Sequence, residues 1–213
     1  MRFTGLKCGL RWTPRPLLSI AWCIAVTVSI VSAADKPTFQ AKPADQYANK
    51  QTTDGVTMAA EPFTTDDQAK TAFGKLNPWQ YNILPVLVVI RNASPNAVRL
   101  EKLHFEYELP DHSKVDAMPA ADVKYSQGAK QPKVYSGPLG GLKGSKVKNP
   151  LNVPEIEIRA FSAKMLPPGE TASGFVYFET EIISAGASLY VTGLENAATG
   201  KELYYFEIPL SGK

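Results

Sequence analysis

The chain has 213 residues, of which 44% are hydrophobic and 20% are charged, a composition that suits one globular domain with a core of its own. Its formal net charge is +3, but four basic residues and no acidic residue precede residue 34, which leaves −1 on the rest of the chain. The basic character of the whole chain therefore comes from these N-terminal residues and is not evidence for nucleic-acid binding, so we expect no nucleic-acid partner.

Residues 1–33 have the layout of a secretory signal peptide. A basic start precedes a nearly continuous apolar run over 17–31, and Val31-Ser32-Ala33 suits a cut after Ala33. We predict export of the body to the periplasm or the extracellular space. An uncleaved anchor is the alternative, because the run approaches the roughly 18 residues of a minimal span; only this segment would then touch the membrane. The basic residues are Arg2, Lys7, Arg11 and Arg15.

Both cysteines, Cys8 and Cys23, lie in this leader. The body therefore has no disulfide, no thiol nucleophile and no thiolate ligand for a metal. An exported domain without disulfides depends on its hydrophobic core for stability, and about 180 residues are enough to build one.

Residues 34–54 precede the first predicted strand. They are rich in Ala, Lys, Gln and Pro and contain few aliphatic side chains. Such a segment cannot bury enough apolar surface to offset the entropy of ordering. We therefore predict a flexible tether over 34–54 and a folded domain over 55–210.

A strand over 56–62 and a short helix open the predicted domain. Thr65 is a suitable N-cap, and Gln68 stands three residues later, as a capping box requires. Gly74 is placed to end the helix in the left-handed conformation. One helical face is apolar and consists of Ala69, Ala72, Phe73 and Leu76.

Residues 83–90 (ILPVLVVI) are apolar at every position. A strand of this kind is covered on both faces, which predicts a central position in a sheet. Pro85 favours a strand that begins at or just after it. The composition of 91–96 predicts a turn, and we interpret Asn92-Ala93-Ser94 as part of that turn and not as a glycosylation site.

A long strand is predicted over 98–109. Its apolar positions change phase between Leu100 and Leu103, which indicates a β-bulge near Glu101-Lys102. A turn at 110–113 and a short strand over 114–118 follow, and residues 119–124 suit a helical turn.

Residues 126–154 differ in composition from the rest of the body. Five glycines and four prolines occur here, and no acidic residue lies between Val123 and Pro154. We predict a long, mobile, basic loop, which is uncommon inside a compact domain and is often functional. The candidate interaction residues of this loop are Lys130, Lys133, Lys143, Lys146 and Lys148.

The second half returns to strand patterns after one ambiguous stretch. Residues 155–165 fit either a strand or a helical face. A turn at 167–170 precedes three predicted strands over 172–179, 188–194 and 202–209, and a hairpin connection joins the last two.

About seven short antiparallel strands, one short helix and a long Gly/Lys-rich loop predict an all-β, two-sheet sandwich. The succession ILPVLVVIRNASPNAVRLEKLHFEYEL, MLPPGETASGFVYF and a C-terminal hairpin resembles exported bacterial immunoglobulin-like domains and late-embryogenesis-abundant sandwiches. The resemblance covers roughly residues 55–210. It implies an immunoglobulin-like binding, assembly or accessory module, with no catalytic residues to carry over.

The two histidines of the body are the candidates for chemistry. His104, Glu106 and Glu108 alternate along one strand and therefore share a face. Imidazole and carboxylates bind divalent ions, but polar residues are also expected on the solvent face of such a strand. Asp111-His112-Ser113 contains the residue types of a hydrolytic triad, yet neighbours in one turn do not form its converging geometry, so we predict an ordinary turn.

Aromatic residues provide a further candidate, a carbohydrate platform, although most should belong to the core or the strand surface. The candidates are Trp79, Tyr81, Tyr125, Tyr135, Tyr190, Tyr204 and Tyr205.

We therefore expect a non-enzymatic interaction or cell-envelope accessory domain, with no catalytic residue, no metal and no cofactor. Its partner is an unknown protein or envelope component. Two alternatives remain open. The first is a periplasmic carrier of sugar or lipid, and the second is a metal-dependent hydrolase that uses His104 and Glu106.

Overall fold

The computed structural model describes residues 39–126, 149–203 and 205–210. The chain divides into two units after Pro37, and the described residues all belong to the second. The predicted signal peptide therefore lies outside them. In the described part, every pair of strands is antiparallel, and two short α-helices accompany the strands.

The strands are β1 Lys50–Thr53, β2 Val56–Pro62, β3 Ile83–Asn92, β4 Val98–Arg99, β5 His104–Glu108, β6 Lys114–Asp116, β7 Met165–Leu166, β8 Thr171–Glu179, β9 Ser188–Thr192, β10 Glu195–Asn196 and β11 Phe206–Pro209. The helices are α1 Asp66–Phe73 and α2 Pro154–Ile158. Single 3₁₀ turns occur at Ala44–Gln46, Pro78–Tyr81 and Val123–Tyr125.

The described residues form three sheets, where the sequence predicts two. The inner sheet has the order β1-β2-β3-β8, and the outer sheet has the order β11-β9-β5-β6. A small bridging sheet, β10-β4-β7, is the third. The prediction of a mostly β, antiparallel fold is confirmed, whereas the prediction of a single short helix is wrong, because α2 forms in the ambiguous stretch after residue 154.

Hydrogen bonds between described residues join the large sheets at both edges. The Met118 N–H donates to the Tyr177 carbonyl of β8 at 2.8 Å, just after β6 ends. At the opposite side, Gln51 of β1 accepts from the Glu207 N–H of β11, with 2.7 Å between Oε1 and N. The two sheets are thus linked at both sides by hydrogen bonds as well as through their common core.

Strand β3 is the central strand that its composition predicts. It pairs with β2 over seven residues on one side and with β8 over nine on the other. The strand nevertheless begins at Ile83, two residues before the predicted start. Pro85 is tolerated because its carbonyl faces the Phe63 N–H just beyond the end of β2, where no ladder bond from its missing N–H is needed.

Side chains cover the inner sheet on both of its faces. One face meets the outer sheet through a cluster that includes Val86, Val88, Phe178, Val191 and Phe206. The other face carries Leu87, Val89, Phe175 and Tyr177 and is covered by α1, α2 and the N-terminal segment. The inner sheet is therefore the middle layer of three.

Helix α1 confirms its predicted ends. Thr65 Oγ1 accepts from the Gln68 N–H and the Gln68 side chain accepts from the Thr65 N–H, which completes the capping box. Gly74 ends the helix at the predicted position, but its φ of 70° and ψ of −115° lie outside the left-handed helical region, so the predicted left-handed conformation is wrong. The predicted face packs on the inner sheet, where the Phe73 and Phe175 ring centroids lie 4.8 Å apart.

The prediction of a flexible tether over 34–54 is wrong for residues 39–54. Ala44 and Tyr47 are buried, and β1 pairs with β2. The Phe39 ring lies 5.4 Å from that of Phe175. A few aromatic side chains are enough to order this polar segment, because they pack on an apolar face of the inner sheet that the other segments do not cover completely.

The predicted strand over 98–109 is two strands in different sheets. Strand β4 pairs with β7 and β10, whereas β5 pairs with β6 and β9. Turn residues at Glu101 and Lys102 separate them. The change of hydrophobic phase that suggested a bulge is in fact the point where the chain passes from one sheet to another.

The predicted loop over 126–154 lies largely outside the described residues, which omit 127–148. Its last part does belong to the fold. Leu151 is buried against the inner sheet, and Asn149 donates to the Lys124 carbonyl at 2.6 Å. The prediction of a mobile loop is therefore wrong for 149–154.

Asn92 is a buried polar residue at the end of β3. Its Nδ2 donates to the carbonyls of Asn96 at 2.8 Å and Leu166 at 2.9 Å. Its Oδ1 accepts from the N–H and the hydroxyl of Ser94. The prediction of a turn at Asn92-Ala93-Ser94 is confirmed, and the same amide also ties this turn to the bridging sheet.

Replacing Tyr47 tests the role of the N-terminal segment. We expect Tyr47→Ala to lower the free energy of unfolding by about 2 to 4 kcal/mol, because it leaves a cavity against the inner sheet. The exposed neighbour variant Gln46→Ala should stay within about 0.5 kcal/mol of the parent. Urea denaturation measures both free energies. Equal stability of the two variants would show that this segment is a flexible tether that does not contribute to the fold.

Replacing Asn92 tests the buried amide. Asn92→Ala removes the donor to the buried Leu166 carbonyl and the acceptor of the Ser94 N–H, while the Asn96 carbonyl keeps the Ser94 hydroxyl as a donor. We therefore expect the free energy of unfolding, measured by thermal or urea denaturation, to fall by about 1 to 3 kcal/mol. Asn96→Ala is the matched control, because only the backbone carbonyl of Asn96 takes part in the network. A loss below that of the control would contradict this role.

Candidate functional site

The exposed face of the outer sheet holds the polar side chains of four strands. Strand alternation turns Phe105, Tyr107, Val191 and Phe206 into the core, so their neighbours point to solvent. We define this exposed face by the residues His104, Glu106, Glu108, Lys114, Asp116, Tyr190, Thr192, Tyr205 and Glu207.

Strand register places these side chains in rows across the sheet. Glu207 stands opposite Tyr190, Tyr190 opposite Glu106, and Glu106 opposite Asp116. In the next row, Glu108 stands opposite Lys114. Because directly opposite side chains interact across a sheet, the hairpin register decides which charges meet.

His104 lies beside two carboxylates. Its Nε2 is 3.6 Å from Glu106 Oε1 and 3.3 Å from Asp116 Oδ1. The predicted common face of His104 and Glu106 is confirmed, and Asp116 from β6 joins them. Glu108 bonds instead to His112, with 2.9 Å between Oε1 and Nδ1. His104, Glu106 and Asp116 thus offer one imidazole nitrogen and two carboxylate oxygens within 4.8 Å of one another.

The sequence pattern alone did not identify Asp116 as a partner. Counting outward from the predicted turn at 110–113 would have set Asp116 opposite Tyr107, whose side chain points into the core. In the structure Asp116 stands opposite Glu106, and a shift of one residue in register moves a side chain to the other face of a sheet. The predicted hairpin therefore did not bring the two carboxylates together.

Lys114 connects the charged cluster to the aromatic residues. Its Nζ donates to Glu106 Oε2 at 2.9 Å and lies 3.8 Å from Glu108 Oε2. It also lies 4.1 Å from the centroid of the Tyr190 ring. The hydrogen bond to Glu106 raises the pKa of the Lys114 ammonium, so this lysine stays charged at neutral pH and holds the Glu106 carboxylate in place.

Two tyrosines of the predicted aromatic set meet on this face. The rings of Tyr190 and Tyr205 stack at 5.2 Å between centroids with an interplanar angle of 28°. Tyr205 is 48% exposed. Trp79 packs against the core instead. Tyr125 is exposed elsewhere, and Tyr135 and Tyr204 lie outside the described residues.

The residues Asp111, His112 and Ser113 form a turn, as predicted. Asp111 Oδ1 accepts from the Ser113 N–H at 3.0 Å and from its hydroxyl at 2.6 Å. The hydroxyl thus donates to the carboxylate and not to the imidazole. These hydrogen bonds lower the pKa of the Asp111 carboxyl. The order of contacts is that of a side-chain-capped turn, not of a nucleophile and its base.

The candidate loop lysines Lys130, Lys133, Lys143, Lys146 and Lys148 lie outside the described residues. The interaction role predicted for them therefore stays a prediction. Lys124, at the near end of that segment, lies 3.4 Å from Glu157 of α2.

Space for an enclosed ligand is limited between the two large sheets. The buried side chains of both sheets fill the layer between them in the described residues. A shallow groove of about 270 Å³ opens beside His104 and is lined by Leu103, Phe105, Met118 and Phe161 among others. Such a groove lies at the surface, so the arrangement disfavours a carrier that encloses its ligand between the sheets.

The comparisons with known proteins show distant likenesses. No protein-family profile and no curated protein matches the chain. Among solved structures, ycdA of Bacillus subtilis, a candidate lipoprotein, matches at 9% identity with a TM-score of 0.36. That match covers 75% of this chain but 38% of ycdA, so this chain spans well under half the length of that protein.

Two further matches span most of both chains. A protein of unknown function from Listeria monocytogenes has 9% identity and a TM-score of 0.34, covering 77% of this chain and 82% of its own. MPT63, a secreted protein of Mycobacterium tuberculosis, has 11% identity and a TM-score of 0.32, covering 81% and 99%. Likenesses at this level carry no argument about the function of this chain.

No helix within residues 39–126, 149–203 and 205–210 is long and apolar enough to span a bilayer.

Neighbouring aromatic residues on the last strand test whether the fold needs the tyrosine pair. We expect Tyr205→Ala to lower the free energy of unfolding by no more than about 1 kcal/mol, since it removes one half-exposed stacking contact. Phe206→Ala, at a fully buried position, should cost about 3 to 5 kcal/mol. Urea denaturation compares them, and an equal cost would make the tyrosine pair a requirement of the fold.

Proposed function

We propose that this chain is an exported, non-enzymatic interaction or cell-envelope accessory domain that binds its partner through the exposed face of the outer sheet. One observation carries the proposal. Within residues 39–126, 149–203 and 205–210, the inner sheet is covered on both faces, whereas no segment covers the second face of the outer sheet, and that face carries the stacked pair Tyr190 and Tyr205. Tyrosines that expose a polar edge beside an apolar ring are enriched in contact surfaces.

The charge of this face favours a basic partner. Four carboxylates lie on it against one lysine, so with neutral histidine its net charge is −3; the carboxylates are Glu106, Glu108, Asp116 and Glu207. A surface of this sign attracts a partner rich in lysine or arginine and slows the approach of acidic ones. The partner that we propose is accordingly a protein or envelope component with a basic patch.

The non-enzymatic part of the proposal is supported by how the polar side chains are used. Lys114 is engaged by Glu106 and Tyr190. Ser113 donates to Asp111, and His112 bonds to Glu108. In the described part of the chain, these hydroxyl, imidazole and carboxylate groups stabilise turns and cross-strand pairs. None of these contacts sets a nucleophile beside a base.

The immunoglobulin-like assignment and export are also part of the proposal. The strand order supports the first: β2, β3 and β8 follow the A-B-E order of one sheet, and β11, β9, β5 and β6 follow the G-F-C-C′ order of the other. The basic and apolar leader over 1–33 supports export.

Site-specific photocrosslinking tests the binding surface. A photoreactive phenylalanine analogue at position 205 should capture a defined partner in the native envelope. The same analogue at Lys70, on the exposed side of α1 and beyond the inner sheet, is the matched control. Capture at Lys70 that equals capture at position 205 would exclude the outer sheet as the contact surface.

Charge reversal tests the chemistry of the partner. We expect Glu207→Lys to reduce capture at position 205 several-fold at low salt, with a smaller effect at high salt because ions screen exposed charges. Glu170→Lys makes the same charge change in a remote turn and should leave capture unchanged. Equal effects of the two reversals would show that net charge alone matters, and this would overturn the proposed surface.

A further inference from the structure

The donor atoms around His104 have the spacing of a metal site. Two edges of the group measure 3.3 Å and 3.6 Å, from His104 Nε2 to Asp116 Oδ1 and to Glu106 Oε1. Ligands about 2.1 Å from a tetrahedral zinc ion stand about 3.4 Å from one another. The third edge, between the Glu106 and Asp116 carboxylate oxygens, measures no more than 4.8 Å, so the three donors converge closely enough to share one ion.

We propose that His104, Glu106 and Asp116 form a binding site for a divalent transition-metal ion of the Zn²⁺ type on the exposed face of the outer sheet. One imidazole and two carboxylates suit Zn²⁺ and its neighbours better than Ca²⁺ or Mg²⁺, which take oxygen ligands. His104 and Asp116 are exposed, so water completes the coordination. This inference does not rest on the proposed partner-binding function, although Glu106 and Asp116 belong to both surfaces.

The backbone holds the three ligands at fixed positions. Glu106 and Asp116 are direct cross-strand neighbours in β5 and β6, and His104 lies two residues before Glu106 on the same face. Ligands on paired strands are positioned more precisely than ligands on loops. The site therefore needs no ordering of a flexible segment before the ion binds.

Lys114 supports the site and does not block it. Its Nζ bonds to Glu106 Oε2, while Oε1 of the same carboxylate faces His104. An outer partner of this kind orients a metal-binding carboxylate. The local charge agrees as well: Glu106, Glu108 and Asp116 with Lys114 sum to −2, which a divalent ion neutralises.

The bound ion would join the edge strand β6 to β5. Three register pairs connect these strands, so a coordinate link between Glu106 and Asp116 adds to a short ladder. Binding to the folded state alone raises stability with metal concentration. The site is thus a structural cation site, and it requires no hydrolytic chemistry.

Calorimetric titration with Zn²⁺ tests the proposal on protein expressed from the full chain without an affinity tag. We expect saturable binding of one ion per chain, weakened at least about tenfold, or 1.4 kcal/mol, by His104→Ala or Asp116→Asn. His112→Ala is the matched control, since His112 is the other histidine of the body and bonds to Glu108. It should bind like the parent.

Nuclear magnetic resonance of the two imidazoles provides the second measurement. Zn²⁺ should shift the ring resonances of His104 and leave those of His112 nearly unchanged. Absence of saturable binding, equal affinity in His104→Ala and the parent, or a shift confined to His112 would each overturn the site. Partner capture at position 205 in the His104→Ala variant reports separately on the proposed function.

Discussion

Strand β3 buries side chains on both of its faces, and the arrangement of the other layers follows from this. Val86 and Val88 pack towards the outer sheet, while Leu87 and Val89 pack towards the helices. A strand of this kind cannot lie at a surface, because either face would then expose a continuous apolar row. The fold consequently needs cover on both sides of one sheet.

The need to cover the second face of the inner sheet, the face away from the outer sheet, explains why distant and weakly hydrophobic segments become ordered. Phe175 is the centre of an aromatic group that brings together Phe39, Phe63 and Phe73. Leu151 and Ile156, which lie more than 75 positions later in the sequence than Phe73, join the same layer. Each contributes a modest apolar area, but together they remove the inner sheet's second face from water.

Among the segments that the structure describes, the helices and the N-terminal segment all pack on the inner sheet, and none covers the second face of the outer sheet. Its polar residues are therefore free to take on binding roles, and the hairpin register decides their neighbours. That register places Asp116 beside Glu106, and the pairing of β9 with β11 brings Tyr190 near Tyr205. The proposed partner surface and the proposed cation site are both consequences of cross-strand pairing.

The sequence by itself determined the elements whose causes are local. The capping box at Thr65 and Gln68, the continuous apolar run of β3 and the alternation of His104 and Glu106 were predicted correctly, since each depends on neighbouring residues. Only the tertiary structure decided three other features: the order of residues 39–54, the division of 98–109 between two sheets, and the meeting of Asp116 with His104. Each requires a surface or a strand supplied by another part of the chain, and no local pattern contains that information.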